Sequence, residues 1–226
     1  MRRRVILILL MVIFLLSVAV AGALFLIRPS VVDMQRHAAE DQLIALIEAG
    51  QTQIDAIPAP AVEGEEAEFP ELEEQAMVAI PELDPTEIKG YGILEIPVIE
   101  LKMPLVQGAD SYSLRAAAGW YPESAEMGEA GNCVIFGHRM TGYGRHFNRL
   151  DELKAGDNIF LYHTNGDCFS YTVTGSEIIE PGILMDTLRD HNEGFSLTLV
   201  TCTPTGVGSH RLMVYANLSA AEKQEG

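Results

Sequence analysis

The side chains with the clearest capacity for chemistry are a cysteine, a histidine and an arginine that lie far apart in the sequence. Cys202 ends the strand-like run Leu197–Thr201 and is followed closely by Pro204, which predicts a thiol at the end of a strand. A partly exposed thiol in that position is a nucleophile if nearby positive charge favours the thiolate. The alternative for an isolated cysteine is a small buried apolar residue.

Arg211 is the candidate for that positive charge. It follows Cys202 by nine residues, beyond a loop with Gly206 and Gly208, and it opens a second strand-like run, Leu212–Ala216. A loop of this length permits an antiparallel pair in which Cys202 and Arg211 face each other. A guanidinium there stabilises both a thiolate and the oxyanion of a tetrahedral intermediate. A surface ion pair is the alternative for Arg211.

His138 is the candidate acid/base group. It follows the strand-like run Asn132–Gly137 and enters a polar loop, much as Cys202 does. Imidazole transfers protons near neutral pH, so it can protonate a leaving amine and later accept a proton from an incoming one. From the residue alone, a structural histidine at a strand end is an equal alternative.

The order of these residues resembles the sortases of Gram-positive bacteria, whose signature is a T-L-x-T-C strand with a downstream arginine. Residues Thr198–Cys202 supply that strand, and Arg211 supplies the arginine. The likeness covers about residues 92–218, including Gly92–Pro97 and Phe136–Arg139.

The resemblance implies roles for four residues. Cys202 is the nucleophile, His138 is the general acid/base, Arg211 contacts the oxyanion and the substrate, and Thr201 helps to line the oxyanion site. It also implies an eight-stranded β-barrel, and many sortases carry one N-terminal membrane helix.

The resemblance further implies a cysteine transpeptidase of the hydrolase class. It would cleave an LPxTG-like sorting signal after threonine, hold the surface protein or pilin as a thioester, and transfer it to an amine of a cell-wall peptide or a pilin lysine. Residues Ser209–Leu212 look like those of the pilin-joining subgroup, but residues 221–226 are polar where that subgroup usually has a second membrane helix. The likeness is closest to classes C, D and E, and both the class and the acceptor stay open.

The second half of the chain predicts a mainly β domain. Turn signals such as Gly156-Asp157 and Asn165-Gly166 separate short β-branched runs, which favours a closed barrel because closure removes exposed strand edges. Short helical patterns cover only residues 111–118 and 146–153. The predicted strands include Gly92–Ile99, Asn132–Gly137, Phe169–Glu180, Ser196–Thr201 and Arg211–Leu218.

The first half of the chain predicts a membrane anchor and a tether. The uncharged run Val5–Ile27 has 23 residues, enough at about 1.5 Å per residue to cross a hydrocarbon layer of about 30 Å. Arg2, Arg3 and Arg4 precede it, which places the N-terminus in the cytoplasm and the catalytic domain outside the cell. A cleaved signal peptide is the alternative. The predicted segments are a cytoplasmic stub at 1–4, a transmembrane helix at 5–27, a juxtamembrane helical stalk at 28–57, an acidic linker at 58–87, the barrel at 88–219 and a polar tail at 220–226.

Charge and cysteine content exclude other classes. The net charge is −17. Residues 33–87 include fifteen acidic residues and only one basic residue, Arg36, and this acidity argues against a nucleic-acid partner. The acidic linker is interpreted as a solvated tether, with a lid over the cleft as the alternative. The three cysteines are too few for a disulfide scaffold, and a bond between Cys133 and Cys168 is left open.

No metal or cofactor is expected. The other five histidines form no close pair of the zincin kind, and calcium modulation, known in some sortases, has no site that stands out. Two alternatives to a sortase remain. One is a cell-wall enzyme of the L,D-transpeptidase type, whose usual Ser-x-Gly-Cys stretch is absent here, and the other is a membrane-tethered β-barrel binding module without catalysis.

Overall fold

The computed structural model describes residues 10–18, 34–35, 37–55, 87–109, 113–115, 117–139, 146–191 and 194–223. Nine strands lie within these residues. In chain order they are β1 (Gln53–Asp55), β2 (Glu87–Ile96), β3 (Leu101–Gln107), β4 (Ala118–Trp120), β5 (Gly131–Phe136), β6 (Asn158–His163), β7 (Cys168–Ile179), β8 (Phe195–Thr203) and β9 (His210–Glu222).

Eight of these strands close into a barrel. The order around it is β2–β3–β4–β5–β8–β9–β7–β6, and β6 pairs back with β2 to complete the ring. The short strand β1 pairs with the beginning of β2. The pairs β3–β4 and β5–β8 are parallel, and the others are antiparallel. The predicted closed, mainly β barrel of eight strands is thereby confirmed, and β9 extends past the predicted barrel end at residue 219 because its last residues pair with β7.

The described helices are few, as predicted. Helix α1 comprises residues 10–18, helix α2 comprises residues 34–35 and 37–48, and helix α3 is Leu184–Asp190. The two helical patterns predicted in the barrel domain correspond to 3-10 turns at Ser113–Arg115 and His146–Glu152. The sequence did not predict α3, because seven residues are too few for a clear helical period.

Most of the predicted N-terminal anchor and linker lies outside the described residues. Of the predicted transmembrane segment 5–27, the structure describes only α1, and of the linker 58–87 it describes only Glu87, the first residue of β2. Within the described part of the chain, no helix is long and apolar enough to cross a membrane. The predicted stub at 1–4 is not among the described residues either.

The wall formed by β5, β8 and β9 is buried on both sides. Because side chains alternate along a strand, neighbouring residues belong to different clusters. The barrel interior, here called the inner cluster, includes Cys133, Ile135, Leu197, Leu199, Leu212 and Val214. The opposite side, here called the outer cluster, comprises Val134, Phe136, Val200, Cys202 and Met213, covered by Ala109, Leu114, Ile179, Leu184 and Leu188.

Helix α2 packs on the outside of the barrel. Ala39, Leu43 and Ile47 recur every four residues on one face of the helix, and each is at most 4% exposed. They form one buried cluster with Ile93 of β2 and Val106 of β3. The helix in the region predicted as a stalk is therefore part of the packed domain.

A partly buried contact between Glu40 and His146 joins α2 to the turn at His146–Glu152. The Oε1 atom of Glu40 lies 2.5 Å from Nε2 of His146, and the two side chains are 15% and 3% exposed. The other carboxylate oxygen lies 3.3 Å from Nδ1 of His37. Burial by itself raises the pKa of Glu40, but the hydrogen bonds and charges of His146 and His37 outweigh burial and hold this pKa below its ordinary value of 4.5.

This shift predicts that the stability depends on pH. A carboxyl group whose pKa is lower in the folded state stabilises the fold above its ordinary pKa of 4.5, and the contribution is lost as the pH falls through the lower folded value. We expect Glu40→Gln to reduce the free energy of unfolding by about 1–3 kcal/mol near pH 6, and this difference to shrink towards pH 3. Urea unfolding of both proteins across this range measures it. A difference that stays constant with pH would contradict the role of the Glu40 charge.

Candidate active site

The position of β8 between β5 and β9 brings the three predicted residues together. Cys202, near the end of β8, is the Cα partner of Arg211 in β9, which confirms the predicted pairing across the hairpin. On the other side, β5 runs parallel to β8 with Phe136 opposite Val200, and His138 follows two residues later. In strand order, Cys202 therefore lies between His138 and Arg211.

The three residues also share one face of the barrel wall. Phe136, Val200 and Cys202 belong to the outer cluster, and Arg211 is the direct cross-strand partner of Cys202. Because side chains alternate along a strand, His138, two residues after Phe136, occupies the next position on this face. The thiol thus faces the outer cluster and not the barrel interior.

Cys202 is more buried than the sequence predicts. We expected a partly exposed thiol at the strand end, whereas this residue is only 4% exposed. It packs in the outer cluster, and the loop that follows it is held by the amides of Val207 and Gly208, which both donate to the carbonyl oxygen of Pro204, at 3.1 and 2.9 Å. A Cβ atom at Gly208 would lie 3.9 Å from the sulfur, so this loop passes near the thiol.

Arg211 is fastened to the same loop. Its Nη1 donates to the carbonyl oxygens of Gly208 and His210, at 2.9 and 3.2 Å, and the residue is only 3% exposed. The guanidinium is therefore held in place by the loop that follows Cys202. A charge in such a buried position acts strongly on a negative charge that develops nearby, because little water screens it.

Three backbone contacts hold the segment that carries His138. The amide of Gly137 donates to the carbonyl oxygen of Val200 at 3.1 Å, and the hydroxyl of Thr201 donates to the carbonyl oxygen of Gly137 at 2.7 Å. The amide of Phe147 donates to the carbonyl oxygen of His138 at 3.1 Å. A Cβ atom at Gly137 would lie 2.7 Å from the Phe147 ring, so glycine is needed for this close packing. His138, at 2% exposed, is thereby fixed relative to β8.

The side chain of Thr201 contacts the segment before His138, and the oxyanion role that the family resemblance implies for it stays a prediction. The alternation along β8 puts it on the opposite face from Cys202, and it is fully buried. Its hydroxyl is therefore turned away from the face of the thiol and donates to the carbonyl oxygen of Gly137. The hydroxyl instead connects the nucleophile strand to the segment before His138.

Arg139 connects the segments that carry His138 and Cys202, a role that the sequence did not predict. Its Nη1 donates to Oγ1 of Thr203 at 3.0 Å, and its Nη2 lies 2.8 Å from a carboxylate oxygen of Asp151. Arg139 follows His138 and Thr203 follows Cys202, so this contact joins the two segments directly. The sequence feature that could have pointed to this role is the position of Arg139 next to His138.

The other two thiols have environments that disfavour reactivity. All three cysteines are free, so the disulfide left open between Cys133 and Cys168 is not formed. Cys133 is 1% exposed in the inner cluster, where burial and then the charge of Glu126 raise the pKa of its thiol well above the ordinary range. Cys168 is half-buried, and burial, followed by the charge of Glu222, raises its pKa as well.

The site is built from side chains of one chain. Among the residues that the structure describes, no group of three or more His, Cys, Asp or Glu side chains is placed to hold a metal ion. A thiol flanked by an imidazole and a guanidinium can attack a carbonyl, stabilise the oxyanion and protonate the leaving group. This fold and site define the class of enzymes that transfer acyl groups through a cysteine.

Comparison with known proteins identifies the family. A family model for the sortase domain matches residues 94–219, which is more than half of the chain. The chain is 30% identical over 157 residues to sortase A of Bacillus anthracis, with 70% of each protein covered. It is 34% identical over 131 residues to sortase D of Bacillus subtilis (strain 168), with 56% of this chain and 63% of that protein covered. The chain belongs to the sortase family, whose members are cysteine transpeptidases.

Solved structures agree with this assignment. Sortase E from Streptomyces avermitilis superposes with a TM-score of 0.52 at 29% identity, covering 59% of this chain and 90% of that one. Sortase C1 from Streptococcus agalactiae gives 0.51 at 28% identity, covering 71% and 78%. Sortase C-3 from Streptococcus pneumoniae, at 22% identity and a TM-score of 0.57 over 86% of both chains, shows the shared fold. The alternatives of an L,D-transpeptidase and of a non-catalytic binding module are therefore wrong.

The geometry of the site predicts which thiol reacts. We expect Cys202 to be alkylated fastest by iodoacetamide near pH 7, and Arg211→Ala to slow this reaction about tenfold, because the guanidinium favours the thiolate. Mass spectrometry of the labelled peptides measures each rate. Cys168→Ser removes the half-buried competing thiol and serves as the control background. If Cys202 reacts equally fast without Arg211, the guanidinium does not activate it.

Proposed function

We propose that this sortase cleaves an LPxTG-like sorting signal after threonine and joins the freed acyl group to an amine. The proposal rests on the strand register. Cys202 of β8 pairs with Arg211 of β9, and β5, which precedes His138, lies on the other side of β8. Membership of the sortase family supports the same chemistry.

The first step forms a thioester. The thiolate of Cys202 attacks the threonine carbonyl carbon, a C–S bond forms, and the oxyanion develops within reach of the Arg211 guanidinium. When the intermediate collapses, the C–N bond breaks and the imidazolium of His138 gives its proton to the leaving amine. The burial of Arg211 and His138 supports these roles, because both groups then act in surroundings with little water.

The second step transfers the acyl group. An acceptor amine attacks the thioester carbonyl and loses a proton to the now neutral imidazole of His138, and the C–S bond breaks to restore the thiolate of Cys202. A cleft that excludes water during this step favours an amine over hydrolysis.

The proposed partners are surface proteins or pilins with a sorting signal and an amine acceptor. The acceptor is a cell-wall peptide or a pilin lysine, and both offer a primary amine to the same thioester. The relatives at about 30% identity include sortases of types A, D and E, so they do not choose between these acceptors.

This function predicts a simple reaction in vitro. The full chain in detergent, given an LPxTG peptide and an amine, should produce a joined peptide that mass spectrometry detects. We expect Cys202→Ala to reduce the rate by more than about a thousandfold, because the covalent step is lost. Glycine and lysine peptides, offered in competition, show which acceptor the enzyme prefers.

The matched control is Cys168→Ser, which removes a thiol at the beginning of β7 and should leave the rate unchanged. Joined product at the wild-type rate from the Cys202→Ala protein would remove Cys202 from the mechanism. Cleavage without joining, at every amine concentration, would contradict transpeptidation but not thioester formation.

We also propose that residues 5–27 anchor the enzyme in the cell membrane, with the N-terminus in the cytoplasm and the catalytic domain outside. The support is the uncharged run of 23 residues and the three arginines before it. An external location also fits surface-protein substrates.

The anchor predicts how the chain fractionates. The full chain should stay with the membrane after a carbonate wash, and protease added to protoplasts should cleave it, because its barrel lies outside. A variant that lacks residues 1–27 should be soluble. Release of a chain that begins near residue 22 into the medium would show that a signal peptide is cleaved after Ala21 instead.

A further inference from the structure

Helix α2 carries a carboxylate that reaches the turn next to His138. Glu40 binds His146 across 106 residues of sequence, at 2.5 Å. The helix itself is fixed, because Leu43 and Ile47, 0% and 4% exposed, are buried against residues of β2 and β3. A contact of this kind, between a buried histidine and a carboxylate on a fixed helix, differs from a pair of exposed side chains, which contributes little.

His146 is connected to the site through the next residue, Phe147. The amide of Phe147 donates to the carbonyl oxygen of His138 at 3.1 Å, and its buried ring packs against Gly137. His146 has φ 44, in the left-handed region, which is uncommon for residues other than glycine. Such a conformation persists only where the surroundings hold it, and the bond to Glu40 holds the ring of His146.

Glu40 lies on a helix that packs against other strands than those that carry the reacting groups. Helix α2 packs on β2 and β3, whereas the three proposed catalytic residues lie on or beside β5, β8 and β9. The path from Glu40 to the site runs through His146 and Phe147 to the backbone of His138. Among the residues that the structure describes, these contacts connect Glu40 to the reaction through the position of His138.

We propose that Glu40 is a positioning residue for the sortase reaction, which holds His146 and Phe147 so that the imidazole of His138 stays in place beside Cys202. This inference rests on the proposed role of His138 as proton donor and acceptor.

The experiment compares Glu40→Gln with the wild-type full chain in detergent, with an LPxTG peptide and an amine as substrates. Proton transfer depends steeply on the placement of the acid/base group, so we expect kcat to fall about three- to thirtyfold while KM is unchanged. We also expect the amide of Phe147 to exchange with deuterium at least about threefold faster, because its bond to His138 opens more often.

Glu48→Gln is the matched control. Glu48 lies on the same helix and pairs with Lys102 of β3 at 2.9 Å, but its side chain is 52% exposed and it does not contact the turn at His146. This variant should change neither kcat nor the exchange of Phe147. An equal loss of kcat in both variants would overturn the proposal, because α2 docking in general and not Glu40 would then be responsible.

Stability and function are separated by the same measurements. If Glu40→Gln lowers the free energy of unfolding but leaves kcat within about twofold of the wild type, the pair is only structural and the proposal is wrong. If the wild-type chain makes no joined product, the proposed function fails. The exchange rate of Phe147 and the alkylation rate of Cys202 then still decide whether Glu40 controls this segment, and unchanged values of both refute it.

Discussion

The site depends on the placement of β8 between one parallel and one antiparallel neighbour. A parallel neighbour ends at the same edge of the sheet, so the residue after β5, His138, arrives beside the end of β8. An antiparallel neighbour begins at that edge, so Arg211 at the start of β9 stands opposite Cys202. A slip of one residue in either pairing would turn one of these side chains to the other face, which makes the register itself a requirement for the chemistry.

Sequence reasoning could find this arrangement because its determinants are local. The Cys202–Arg211 pair follows from two strand-like runs joined by a short loop, and the hairpin of β6 and β7 follows from Asn165-Gly166, where Gly166 has φ 93. The apolar runs of β5 and β8 predicted strands, and the structure shows that both strands are buried on both faces. The family resemblance then supplied the roles, which no local pattern states.

The parts that the sequence did not predict depend on contacts between distant residues or break a local rule. Strand β3 contains Pro104, which argues against a strand with neighbours on both sides, and β4 has only three residues. The apolar face of α2 was visible in the sequence, but a helical period does not say which surface it covers. The Glu40–His146 pair spans 106 residues and has no local signature at all.

The two buried cysteines of this wall show why exposure alone does not identify a nucleophile. Cys133 and Cys202 are 1% and 4% exposed, and they lie on adjacent strands of the same wall. Cys133 faces the inner cluster, where burial and the nearby Glu126 raise the pKa of its thiol and keep it neutral. Cys202 belongs to the outer cluster and is the cross-strand partner of Arg211, whose guanidinium binds the loop between the two strands. Burial beside a negative charge disfavours the thiolate of Cys133, whereas the cross-strand partner of Cys202, the proposed nucleophile, carries a positive charge, so the sign of the neighbouring charge distinguishes the two positions.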